Sequence, residues 1–152
     1  MDKEFLNNYD EKVIALAQYL EINLEPDFNE EDYPTEDYTE EEIEEARQEA
    51  IREVTDELDS IIETYDNYFE YYNENYTVVT DDEADDLWEQ ELDNYIEECI
   101  MPEIPEHLQY YFDEDAWKSD ARIDGRGHAI SRYDGEEYEE EVNGTTYYIY
   151  RQ

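Results

Sequence analysis

The chain has 152 residues and sets 49 Asp and Glu against 9 Lys and Arg, a formal net charge of −40. Charge of one sign on that scale repels itself and excludes the nucleic-acid phosphate backbone as a partner, so its natural complement is a strongly basic surface. Leu, Ile, Val and Phe number only 29, a composition close to that of disordered chains, but 17 Tyr supply apolar mass and keep a hydroxyl for the wet edge of a thin core.

Phe5, Tyr9, Val13, Leu16 and Leu20 recur every three to four residues, which predicts an amphipathic helix ending before Pro26. Residues 26–38, with two prolines, no period and many acids, read as a loop. Thr39-Glu-Glu-Glu42 is a capping box, and Ile43, Ala46, Ala50, Val54, Leu58, Ile61, Tyr65, Tyr68 and Tyr72 extend a helical stripe behind it. The expectation is one helix over residues 40–72, about 50 Å long, unless a break at Ser60 or Asn67 shortens it. Its other faces carry Glu41, Glu45, Glu49, Glu53, Asp56, Glu63, Asp66 and Glu70.

Residues 77–80 read as a short strand or extended lead-in. Thr80-Asp-Asp-Glu83 repeats the capping box, and Ala84, Trp88, Leu92, Tyr95 and Cys99 mark a second amphipathic helix that Pro102 and Pro105 end. This helix presents Asp81, Asp82, Asp85, Asp86, Glu89, Asp93 and Glu97. Pro105 suits the first turn of a short helix through His107, Leu108 and Tyr111, and Asp113 caps another through Trp117 and Ala121. The period then changes. Residues 129–133, 138–142 and 145–150 read as strands, with turns at Asp134-Gly135 and Asn143-Gly144, giving a three-stranded antiparallel sheet. The fold class is α+β: a mainly helical acidic body with a small C-terminal sheet. It divides into an acidic helical region over residues 1–80 and an α+β region over 81–152, or forms one continuous domain.

The candidate chemistry lies in the acids. Residues 1–116 hold 41 acids and 4 bases, whereas residues 117–152 hold 8 and 5. Halophilic adaptation would affect the whole chain. Like charges stacked at i, i+4 destabilise a helix, and between Glu40 and Glu74 only Arg47 and Arg52 compensate them. Carboxylates about 5 to 6 Å apart on a helix are comparable with neighbouring phosphates on a DNA strand, and duplex DNA carries one charge per about 1.7 Å. The fifteen acids named on the two helices are therefore the candidate phosphate-mimicking, partner-binding residues, and a basic DNA channel accepts such a surface without reading bases.

Enzymatic constellations are sparse. His107 and His128 are the only histidines, and there is no Gly-rich phosphate loop, Gly-x-Ser-x-Gly elbow or His-Glu-x-x-His pair. No cofactor, metal site or catalytic residue is expected, and neither Asp81–Asp86 nor residues 113–115 has EF-hand spacing. Asp124-Gly-Arg-Gly-His128 brings flexible glycines, a base and an imidazole together as a site would, but reads rather as a tight helix-to-strand connection. Cys99 is alone and fits a reducing cytoplasm, and no leader or membrane-spanning run is evident. Crowded carboxylates should also have raised pKa values, so that stability would increase as pH falls from 7 towards about 5, or with added salt.

Residues 88–123 add a resemblance. The acidic helix from Trp88 to Cys99, the segment Pro105-Glu-His-Leu-Gln-Tyr-Tyr-Phe112 and above all Tyr111-Phe-Asp-Glu-Asp-Ala-Trp-Lys-Ser-Asp120 resemble the plasmid- and phage-encoded ArdA antirestriction proteins. The last segment is similar to that family's run Tyr-Ile/Phe-Asp-Tyr-Glu-Ala-x-x-Arg-Asp, with Lys118 where the family tends to have Arg. The resemblance covers about a quarter of the chain. It implies a phage or mobile-element origin and an elongated, usually dimeric DNA mimic that occupies the DNA groove of type I restriction-modification enzymes in the host cytoplasm. The wider class includes acidic inhibitors of CRISPR nucleases. The expected function is thus a non-enzymatic inhibitor of a basic DNA-binding defence protein. The alternatives are an acidic adaptor for a basic nucleic-acid-binding protein and, last, an enzyme using carboxylate-held Mg²⁺ or Mn²⁺.

Overall fold

The computed structural model describes residues 3–152. Helix α1 (Glu11–Tyr19) starts where the Asp10 carboxylate accepts from the Lys12 N–H at 2.8 Å. A separate 3₁₀ turn, Glu4–Asn8, precedes it, so the expected N-terminal helix is two pieces. Helix α2 (Glu40–Asp59) opens on the capping box of Thr39 and Glu42 and buries Ile43, Ala50, Val54 and Leu58.

The long helix expected over residues 40–72 does not form. α2 stops at Asp59 with Ser60 as its cap, and the chain turns into β1 (Ile62–Tyr65), β2 (Tyr68–Tyr71) and β3 (Glu74–Thr80). The aromatic and β-branched content of residues 61–80 favours strands. Asn67 takes the left-handed conformation (φ 69°) between β1 and β2, and Tyr72 and Asn73 (φ 46° and 68°) form a two-residue hairpin turn. The apparent helical stripe was never one face: Ile61 is buried, whereas Tyr65 and Tyr72 are 65% and 66% exposed.

Thr80 and Glu83 make a second capping box at the start of α3 (Asp81–Tyr95), which runs on into a π turn at Ile96–Ile100. Two 3₁₀ turns follow, Met101–Glu103 and Glu106–Tyr111, then α4 (Glu114–Ala121) with Asp113 as its cap. The strand expected at residues 129–133 is also absent. Those residues finish helix α5 (Arg126–Ile130) and bend into the turn before β4 (Tyr138–Val142). Gly127 fixes this arrangement, because a Cβ there would lie 2.7 Å from the backbone of Gly135 and Glu136. Its role is close approach of two backbone segments, which a connection read as merely tight does not reveal. Asn143 and Gly144, both at positive φ, then join β4 to β5 (Thr145–Arg151).

The fold is α+β. Its sheet has five antiparallel strands in the order β1-β2-β3-β5-β4, where three were expected, because β3 pairs with β5 in the register Val78 opposite Ile149. Residues on both sides of position 80 therefore share one sheet. Alternation along β3 and β5 sends Tyr76, Val78, Tyr147 and Ile149 to one face, where α1 and α2 cover them with Ile14, Leu16, Val54 and Leu58. Val79 and Tyr150 go to the other face, under Ala84 of α3 and Ile130 of α5. Each large apolar side chain so buried contributes about 1.5–3 kcal/mol, which is how a chain with few aliphatics sustains two core layers.

Candidate partner-binding acidic surface

The fifteen acids named from sequence do not form one ribbon. α2 packs on one face of the sheet and α3 on the other. The structure sorts the acids into three groups.

Glu41, Glu45, Glu49, Glu53 and Asp56 stay together. All five lie exposed on α2 at steps of four, four, four and three residues, spanning about 22 Å of rigid axis. None has an ion pair or side-chain hydrogen bond among the described residues. Of the two bases on this helix, Arg47 pairs with Glu44 at 2.6 Å and lies over the Phe28 ring, while Arg52 has no carboxylate partner among the described residues.

Glu63, Asp66 and Glu70 leave this stripe, because the helix that was to carry them is a hairpin. Glu63 lies opposite Phe69 and so shares its face, Glu70 is adjacent to Phe69 and points to the opposite face, and Asp66 sits in the turn.

The α3 acids divide by helical face. Asp81, Asp85, Glu89 and Asp93, spaced four apart, are neutralised by the chain itself. Arg126 Nη1 donates to Asp81 at 2.8 Å and Asp85 at 2.9 Å. Lys118 bridges Glu89 at 2.6 Å and Asp93 at 2.5 Å, and Arg122 adds a bond to Glu89. Hydrogen bonds to Asp93 and Glu89 push the Lys118 ammonium above its ordinary range, and those from Lys118 and Arg122 hold the Glu89 carboxyl low. Asp82 and Asp86 on α3, and Glu97 in the π turn that follows it, remain exposed, with no ion pair or side-chain hydrogen bond among the described residues.

Sequence reasoning passed over the acids of the loop before α2. Phe28 stacks on Tyr33 at 5.4 Å, Tyr33 meets Tyr38 edge-on at 5.1 Å, and Arg47 caps the Phe28 ring. This aromatic ladder holds Glu30, Glu31, Asp32, Glu36 and Asp37, all exposed, beside the helix. Residues 27–56 thus carry 14 acids against 2 arginines. The alternation of aromatic and acidic residues across the loop was the available signal.

Tyrosine explains how the remaining charge is tolerated. Five phenols donate to carboxylates: Tyr9 to Asp59 at 2.9 Å, Tyr138 to Asp134 at 2.7 Å, Tyr147 to Glu11 at 2.6 Å, Tyr71 to Glu57 and Tyr150 to Glu137. A neutral donor satisfies an ionised acceptor without a counter-cation. Burial and the Asp59 bond push Tyr9 up to about 12, and the Glu57 bond does the same for Tyr71. On the acid side, the bond from Tyr147 holds Glu11 low. Burial opposes ionisation of Glu83 and of Asp134, but Lys12 and Thr80 bring Glu83 down to about 2, and Tyr138 and neighbouring donors lower Asp134. Burial alone raises Glu140. The general upward shift expected from crowding is therefore not what dominates these groups; their donors are.

Among the described residues no group of three or more His, Cys, Asp or Glu is arranged to hold a metal ion, and no helix is long and apolar enough to cross a membrane. No protein-family model, curated protein or solved structure matches the chain.

Proposed function

We propose that the chain is a DNA mimic that occupies the DNA-binding groove of a basic host defence protein, a restriction-modification enzyme or CRISPR effector, and so inhibits it. One observation carries this reading: the five α2 carboxylates stand in line on a rigid helix, exposed and without cations, although like charges at that spacing cost helix stability. The clamped stripe on α3 marks the contrast, since there the chain spends its own bases. The resemblance of residues 88–123 to ArdA proteins points to the same class of target. No reacting group or bound cofactor enters this reading, and the partner is a protein, not nucleic acid or membrane.

The test is competition. Duplex DNA should displace the chain from its basic partner, and affinity should fall on the order of 10²- to 10³-fold between about 50 and 200 mM salt, as for about five phosphate-type contacts. Replacing Glu41, Glu45, Glu49 and Glu53 with Gln and Asp56 with Asn should abolish binding, whereas any single replacement should weaken it only severalfold. Binding that ignores duplex DNA would instead identify an acidic adaptor.

A further inference from the structure

A recess on the opposite side of the sheet from α2 has a different chemistry. Between the π turn at Ile96–Ile100 and helices α4 and α5 lies a surface cleft of about 600 Å³, within the range of small-ligand sites. Tyr95 and Trp117 line it stacked on each other, 5.4 Å between centroids and 8° between planes, and Tyr95 is 52% exposed. Glu98, Asp120 and Asp124 also line it, all exposed and with no ion pair or side-chain hydrogen bond among the described residues. The nearest base on α4, Lys118, is directed away to Glu89 and Asp93 and is 11% exposed, so it does not fill the space.

A flat aromatic surface attracts a cation lying on it, and carboxylates at the edge accept hydrogen bonds in the plane of that cation. A guanidinium meets both demands, being planar, permanently charged, weakly hydrated and able to stack and donate at once, whereas an ammonium satisfies only the charge. We propose that this cleft binds a guanidinium group, the arginine side chain of a partner protein. The site stands apart from the α2 surface and does not rest on the mimic reading.

The chain carrying Trp88→Phe keeps Trp117 as its one tryptophan, so its fluorescence reports the cleft directly. Titration with N-acetyl-arginine amide should give a saturable change, at least tenfold tighter than with the lysine amide or the uncharged citrulline amide. Asp120→Asn combined with Asp124→Asn should weaken arginine binding at least tenfold while leaving the circular dichroism unchanged. Should Trp88→Phe disturb folding, the Trp117 indole N–H resonance of the unmodified chain reads the same titration. Equal binding of arginine and citrulline, equal binding of arginine and lysine, or unchanged arginine binding by the double variant would overturn the proposal. Neither DNA nor a partner protein enters this assay, so its failure would leave the α2 reading standing, and the converse also holds.

Discussion

Tyr150 and Arg126 converge on one carboxylate oxygen: the buried phenol and the guanidinium Nε both donate to Oε1 of Glu137. Tyr150 lies on the last strand and Arg126 on α5, and the same guanidinium reaches Asp81 and Asp85 and lies 4.6 Å from the Tyr148 ring centre. One cation thereby joins the sheet, α5 and the start of α3.

Arg126→Gln should cost about 2–3 kcal/mol, since it leaves Glu137 half-buried without its cation and returns repulsion to Asp81 and Asp85; their exposure keeps the loss below that of a fully buried pair. Tyr150→Phe should cost about 1.5–2 kcal/mol, the low end for a hydrogen bond to a charged acceptor, because the ring remains and Arg126 still serves Glu137. Urea unfolding of both variants checks the ranking.

Alkali should unfold the chain through its phenols. Tyr9, Tyr71, Tyr138 and Tyr147 are pushed up to about 12 from an ordinary 10.0, by burial and by donation to Asp59, Glu57, Asp134 and Glu11. A raised folded-state pKa means that the stabilisation is complete below pH 10 and disappears as pH rises through about 12. The thermal midpoint should fall across that window, in step with phenolate absorbance. Phenylalanine at all four positions should lower the midpoint at neutral pH and flatten the alkaline fall.

Acid acts on Glu83. Lys12 and Thr80 hold its carboxyl near 2 against an ordinary 4.5, so its contribution is present above pH 4.5 and is lost as pH falls through about 2. Glu83→Gln should destabilise the chain at pH 7 and remove part of the fall in midpoint below pH 4.5. An unchanged acid limb in that variant would show that Glu83 does not govern it.

Neutralising the α2 stripe should stabilise the fold while it abolishes partner binding. Glu41, Glu45, Glu49, Glu53 and Asp56 make four like-charged neighbouring pairs, each costing about 0.2–0.5 kcal/mol, so the fivefold variant should gain about 1–2 kcal/mol at low ionic strength. The gain should shrink as salt is added. Thermal melts of the two proteins at low and high salt measure both effects.

The elements legible in the sequence were those with local chemistry. Thr39 with Glu42, Thr80 with Glu83 and Asn143-Gly144 each specify a helix start or a hairpin within a few residues, and each is found where expected. The β1–β3 region was not legible, because Ile61, Tyr65, Tyr68 and Tyr72 satisfy a helical spacing by coincidence, while the turn that contradicts it places a tyrosine, Tyr72, at positive φ. Residues 129–133 failed for a different reason: Gly127 permits a backbone contact with residues 135–137 that no period encodes. For the acidic surface, spacing placed a row of exposed acids on α2 but could not distinguish it from the α3 row, which the chain pairs with its own bases. Lys118, Arg122 and Arg126, which silence the α3 stripe, stand 25 to 45 residues from the α3 carboxylates they hold.

The tyrosine bonds separate two kinds of response to ionic strength. Contacts between opposite charges weaken as ions crowd around them, but a phenol donates without carrying charge and is indifferent to that screening. Added salt therefore loosens the clamps of Arg126 and Lys118 but leaves the five phenol bonds in place, so the sheet and α1 keep neutral fastenings that ionic strength does not reach.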